Sequence, residues 1–422
     1  MAEIAFAGKI KKQSIYSFFD YFLLSSIIAL TGFEFFFRDK TSLYLIIGPI
    51  SFILFILKRG KLSLKLFSML GLLLLLFLLQ SFTFGLSYSF AFTGILRFFI
   101  YFSIAQVIGL RFNTVYINIM YCICLISLFL FALTAISPSF RDLLLSISKN
   151  ITSLGVNDES YDNWSNPSQN IIIYVIPLLN TMRNCGPFWE PGMFAVFINI
   201  ALAINLISNK RILEKKNITF LIAAISTLST ASIIATFIII SYHFLFSVKS
   251  KYSLLFIMII PFIAIPLFNS EYVKGKIDNN IETMDSSYSR FGAILVHYNE
   301  ILKSPIIGHG ANVNKSVESG LGEFELNLSP NGLTNIIRVY GIPFSILFYI
   351  LLFKASSIIS KISGSTHKRD ALLLFLVILI LAFSQDVTTR HFYYLLMMLP
   401  FSNINHKINA RKKLNNPSRI YG

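Results

Sequence analysis

Negative charge is scarce in this 422-residue chain, with 20 Asp and Glu against 36 Lys and Arg, and only 13% of all residues are charged. A soluble globular chain carries about 25% charged and about 45–50% apolar residues. Here the apolar share is 55%, and Phe alone occurs 42 times. The domain cores of a water-soluble protein this long cannot hide so much Phe, Leu and Ile. Composition therefore excludes a soluble protein and indicates an integral membrane protein. The net charge of +16 does not point to nucleic acid. Its Lys and Arg sit mostly in short clusters between apolar runs, as cytoplasmic anchors do under the positive-inside rule.

Cysteine is nearly absent too. Cys122, Cys124 and Cys185 make neither a disulfide framework nor a zinc site, and the first two, in one apolar run, point to different helix faces as packing residues. Met1 to Gln13 lacks a hydrophobic stretch with a cleavage site, so no removable signal peptide is expected. There is no Walker loop, His-Glu-x-x-His, Gly-x-Ser-x-Gly or Asp-x-Asp, and the six His are scattered. Metal catalysis, a cofactor and a soluble nucleotide-sugar donor are accordingly not expected. Nor is there an internal repeat or an inverted pair of Gly/Pro-broken helices of the kind many transporters carry.

What is present is a series of runs near the roughly 20 apolar residues a membrane span needs. They lie at 15–37, 41–57, 63–84, 88–109, 115–137, 190–208, 252–269 and 333–353. Two longer stretches, 217–247 and 370–402, are flanked by basic residues on both sides, Lys210 to Lys216 and Lys249 for the first, Lys361 to Arg369 and Lys407 to Lys413 for the second. With both flanks cytoplasmic, each crosses an even number of times and reads as a hairpin, turning near Ser229–Ser232 and near Gln385–Arg390. The expectation is an all-α polytopic protein of about twelve helices with both termini cytoplasmic. Residues 138–189 and 270–332 then form two large outer loops, and 403–422 a basic cytoplasmic tail. The second outer loop holds eight acidic residues against five Lys and Arg, as an exported loop can. Within it, Phe291 to Lys303 has helical apolar spacing and reads as either an interfacial helix or a packed loop helix.

Chemistry concentrates on the outer side. Arg183 opens Arg183-Asn184-Cys185-Gly186-Pro187-Phe188-Trp189-Glu190-Pro191-Gly192, a rigid turn leading straight into a span. Trp189 suits the membrane interface, and Glu190 starts a helix whose dipole favours its charged form. Arg183 and Glu190 either act on a ligand or pair with each other to fix the loop. Ser289-Arg290 opens the segment ending at Ser304-Pro305-Ile306-Ile307-Gly308-His309-Gly310. Arg338 lies about a turn inside the next span, and Arg390 at the outer turn of the last hairpin. Four guanidinium groups at one leaflet suit a phosphate-bearing lipid, since Arg binds phosphate bidentately and stays charged; interface snorkelling or structural pairing is the plainer account of Arg338 and Arg390. Arg97, inside the fourth span, reads as an intramembrane functional residue or, more plainly, as the partner of an acid such as Asp20. The hydroxyl run Ser226–Ser232 reads either as a substrate contact or, more plainly, as caps for two helix ends.

In one order, these motifs resemble the O-antigen polymerase and O-antigen ligase superfamily of bacterial polysaccharide assembly. They are Arg-x-x-Gly-x-Phe-Trp-Glu-Pro-Gly before a span, a Ser/Thr-rich hairpin turn, Ser-Arg followed by Pro-x-x-Gly-x-Gly, and Asn-Gly-Leu with Gly-Ile. The Phe-Trp-Glu-Pro form is more similar to the polymerases. The resemblance implies a multi-pass protein of the bacterial cytoplasmic (inner) membrane. Its partners would be undecaprenyl-diphosphate-linked oligosaccharides and the lipid bilayer, with a flippase and a chain-length regulator as further candidates. Arg183 and Arg290 would stabilise the leaving diphosphate, and Glu190 would orient Arg183 or accept a proton. Trp189, Ser289, His309, Asn331, Arg338 and Arg390 would bind substrate. A ligase of the superfamily commonly carries a His just before the span beginning near Leu333, where this chain has Pro330-Asn331. A lipid-linked glycan flippase is the remaining alternative.

Overall fold

The computed structural model describes residues 2–36, 41–152, 170–177, 182–246, 290–310, 316–319, 322–325, 331–365, 367–404 and 406–408. The span read at 252–269, most of the second outer loop and the tail from 409 lie outside them. The described helices are α1 (Ala2–Gly32), α2 (Thr41–Leu57), α3 (Leu64–Phe84), α4 (Tyr88–Ile108), α5 (Phe112–Ile136), α6 (Pro138–Thr152), α7 (Pro191–Asn209), α8 (Lys215–Ser226), α9 (Thr230–Phe246), α10 (Arg290–Lys303), α11 (Gly332–Ile362), α12 (Lys368–Ser384) and α13 (His391–Met398). Among the described residues the departure from an all-α fold is one small antiparallel hairpin, Ser316–Ser319 with Gly322–Glu325.

Four stretches are long and apolar enough to cross a membrane by length and composition: Leu64–Phe84, Tyr88–Ile136, Pro191–Asn209 and Gly332–Ile362. The second holds α4 and α5, separated at Gly109 (φ 55°). Shorter apolar helices accompany them, and α8, of 12 residues, reaches only about 18 Å. The outer surface carries exposed Phe67, Leu72, Phe82, Phe92, Phe129 and Ile346, a surface that suits lipid rather than water.

Helix ends follow local chemistry. Ser63 caps α3 by accepting from Leu66 N, and Gly85 ends it in the left-handed region, where the missing Cβ removes the steric penalty. Pro191 occupies the first position of α7, where a missing N–H costs nothing. From Gly192 to Ile207 every residue of α7 is buried, so this all-round apolar helix is the centre of the bundle. Helices α5, α8, α9, α11 and α12 pack around it.

The two ends of the bundle differ in charge chemistry. At one end, Asp20 accepts from Lys58 Nζ at 2.8 Å and Arg111 Nη1 at 2.7 Å, Arg111 also donates to Ser17, and Asn113 reaches Ile359 O and Ser363 near the end of α11. The expected pairing of Asp20 with Arg97 is therefore corrected. Asp20 is held at the lysine-rich end, while Arg97 lies eleven residues before the end of α4, about 16 Å away along the helix. Arg97 instead sits over the Tyr44 ring, 5.4 Å from its centroid.

Candidate functional site

The opposite end of the bundle gathers Arg183, Arg290, Arg338 and Arg390. The turn before α7 is built first on Asn184, which is fully buried. Its Oδ1 accepts from Ser127 Oγ and Gly186 N, and its Nδ2 donates to Ser226 Oγ. Phe188 stacks on Phe194 and Phe197 and lies so close to Gly32 that a Cβ there would be 2.5 Å from its ring. Trp189 N donates to Gly32 O, and Glu34 N to Pro187 O. Together these bonds fasten the turn to the end of α1.

Each arginine is then oriented in one manner. Arg183 Nε donates to Thr227 O at 2.9 Å, so the hydroxyl-rich turn between α8 and α9 receives the arginine on its backbone. Arg290 Nε donates to Ser384 O at 3.2 Å. Arg338 Nε meets Asn335 Oδ1 at 2.9 Å, and Asn335 Nδ2 in turn donates to Asp386 Oδ1. Arg390 Nε donates to Asp386 O, its Nη2 lies 3.7 Å from Asp386 Oδ2, and its guanidinium covers Trp189 at 5.3 Å. A guanidinium held at Nε has its plane fixed, and Arg183 Nη2 donates in addition to Leu228 O at 3.4 Å.

The charges also sense one another. Burial lowers the Arg290 guanidinium from its ordinary value, with Glu190 opposing the shift and Arg183 adding to it. Glu190 is the N-terminal flanking residue of α7 and makes no side-chain capping bond there. Nearby, burial raises the Cys185 thiol to about 12, so it stays protonated.

A second layer positions Arg338. Helix α11 is broken at Gly341 (φ 80°, ψ 168°), two residues before Pro343. The loop after α10 docks on that break by backbone bonds: His309 N to Arg338 O, Gly310 N to Val339 O, and Ile342 N to Pro305 O. The contact requires glycine on both sides. A Cβ on Gly308 would lie 2.5 Å from Val339 O, and one on Gly341 2.1 Å from Ile306 O. Gln80 of α3 closes the joint, its Nε2 donating to Ile307 O at 2.6 Å and Val339 O at 2.8 Å. Helix α10 buries Ala293, Val296, His297 and Glu300 and exposes Leu295, Tyr298 and Leu302, so it is both packed on α11 and apolar outside. His297 Nδ1 is hydrogen-bonded to Thr334 at 2.6 Å. Burial, then the charge of Arg338, lowers its imidazole to about 3.

Sequence-singled residues thus fall into three groups. Arg290 feels the charges of Glu190 and Arg183, Arg390 stacks on Trp189, and Arg338 is held by Asn335. His309 and Asn331 have structural partners: His309 Nε2 donates to Glu300 O at 2.8 Å, and Asn331 caps α11 by accepting from Thr334 N. Ser289 lies outside the described residues. Sequence reasoning passed over Gln80, Asn184, Asn335 and Asp386. A lone amide inside a leucine run marked Gln80, and Asn335 three residues before Arg338 marked a helical pair. Among the described residues no three His, Cys, Asp or Glu side chains meet as a metal site requires.

No family model, curated protein or solved structure matches this chain. The functional reading therefore rests on the residues themselves and on their arrangement.

Proposed function

We propose that this chain is a polysaccharide repeat-unit polymerase acting on lipid-diphosphate-linked glycans. It would cross the bacterial cytoplasmic membrane about twelve times with both termini inside, and the arginine end would face outward. A hydroxyl of one lipid-linked repeat unit attacks the anomeric carbon of the growing chain. The new glycosidic C–O bond forms as the anomeric C–O bond to diphosphate breaks, undecaprenyl diphosphate leaves with the bonding pair, and the hydroxyl proton passes to a base. Arg183 and Arg290 meet the charge that develops on the diphosphate, and Glu190 accepts the proton. Arg338, Arg390 and Trp189 hold the substrate. Fixed cations aimed at developing charge need no reorganisation at the moment of reaction.

The observation that carries this reading is the shared Nε anchoring of four arginines at one end of the bundle. The test is glycan length on gels from a strain lacking the gene. Single repeat units on the final acceptor support the polymerase. Full-length polymer stranded on its lipid carrier makes the protein a ligase instead, and repeat units held on the inner leaflet make it a flippase.

A further inference from the structure

Arg97 stands apart from the four arginines of the site. It lies midway along α4, within the apolar stretch Tyr88–Ile136, yet its side chain is exposed. Apolar residues of the two helices are exposed as well, Phe92 and Leu96 on α4 and Leu45 and Ile46 on α2. An arginine among lipid chains is costly unless it meets a partner or water, and the face of one tyrosine is a weak counterweight. The ion pairs formed among the described residues involve other cations.

The ring beneath Arg97 is tied inward. The Tyr44 hydroxyl is 2.5 Å from that of Tyr101 and 2.6 Å from His391 Nδ1, and the Tyr101 hydroxyl is 2.8 Å from the same nitrogen. His391 directly follows Arg390, whose guanidinium covers Trp189. Arg97, Tyr44, Tyr101 and His391 therefore form one cluster of touching polar groups, one residue along the chain from Arg390.

We infer that Arg97 and Tyr44 form a lateral docking site for the diphosphate of a polyprenyl-linked substrate, whose isoprenoid chain stays against Phe92, Leu96 and Leu45. This rests on the polymerase reading for the identity of the lipid. A diphosphate fits the site because the planar Arg fork binds phosphate oxygens bidentately, and the Tyr44 hydroxyl side of the ring is tied to further polar groups.

The test uses the full chain in phosphatidylcholine nanodiscs, with undecaprenyl diphosphate lacking any glycan as the probe and native mass spectrometry as the readout. Arg97→Gln should weaken binding about tenfold, the effect of one charge-assisted contact. Arg97→Lys, which keeps the charge but not the fork, should fall between Arg97→Gln and the wild type, and so separates loss of binding from loss of fold. Wild-type binding by Arg97→Gln overturns the inference. An equal loss for phosphatidylglycerol overturns it as well, because the contact would then be with any anionic lipid. No sugar is transferred in this measurement, so its failure leaves the glycan-length result, and the polymerase reading, to be judged separately.

Discussion

The guanidinium is planar, so a hydrogen bond at Nε fixes the plane in which its other donors lie. Arg183 is held on Thr227 O, and lysine has no group equivalent to Nε. Arg183→Ala and Arg183→Lys should therefore both abolish long polymer while leaving membrane abundance near normal, as read by glycan gels beside an immunoblot. Loss of the protein itself would assign Arg183 to the fold. His297 gives a pH prediction. Its imidazole is held near 3 when folded, against about 6.5 when unfolded. Between those values the unfolded chain binds the extra proton, so stability falls as pH drops below about 6.5. In thermal unfolding from pH 7 to pH 4.5, His297→Gln should lose less stability than the wild type, and parallel curves would remove His297 as the cause. The positions of the arginines were legible in the sequence, because each adjoins an apolar run on one side of the charge parity. Their Nε acceptors were not. Three of the four are backbone carbonyls, and a carbonyl leaves no mark on residue identity.

At the scale of elements, the apolar runs among the described residues fall on helices, and helix breaks lie at Thr227–Ser229, just before the expected Ser229–Ser232, and at Gln385–Arg390. The break inside α11 announced itself only as Gly341-Ile342-Pro343. What makes that break a joint is a loop more than thirty residues earlier in the chain, and pattern reading cannot see a contact of that kind. Gly308 and Gly341 both have positive φ and both face backbone. Gly308→Ala or Gly341→Ala should each cost about 1–3 kcal/mol through backbone strain, seen as a lower unfolding temperature. Gly71→Ala, in open space, is the control and should be neutral or slightly stabilising because alanine favours helix. If all three variants behave alike, the joint does not hold the fold.

For the whole molecule, the separation of charge chemistry into two ends makes sidedness measurable. In a Cys122→Ser background, Ser89→Cys at the arginine end should react with a membrane-impermeant thiol reagent in intact cells. Lys361→Cys at the opposite end should react only after lysis, and buried Cys185 in neither case. The reverse pattern would turn the protein over and end the polymerase reading. The Nε anchors carry a further consequence, one of heredity. Point mutation cannot delete a backbone carbonyl, so Thr227→Ala or Ser384→Ala leaves its arginine oriented, and glycan length should be unchanged in either variant. One residue inserted into the turn at Thr227–Ser229 moves the carbonyl itself and should shorten the product. The geometry of this end is thus insulated from drift in residue identity and exposed to drift in loop length. Diverging copies of the gene could lose almost every recognisable letter around the site and still orient Arg183, Arg290 and Arg390, whereas Arg338 depends on the side chain of Asn335.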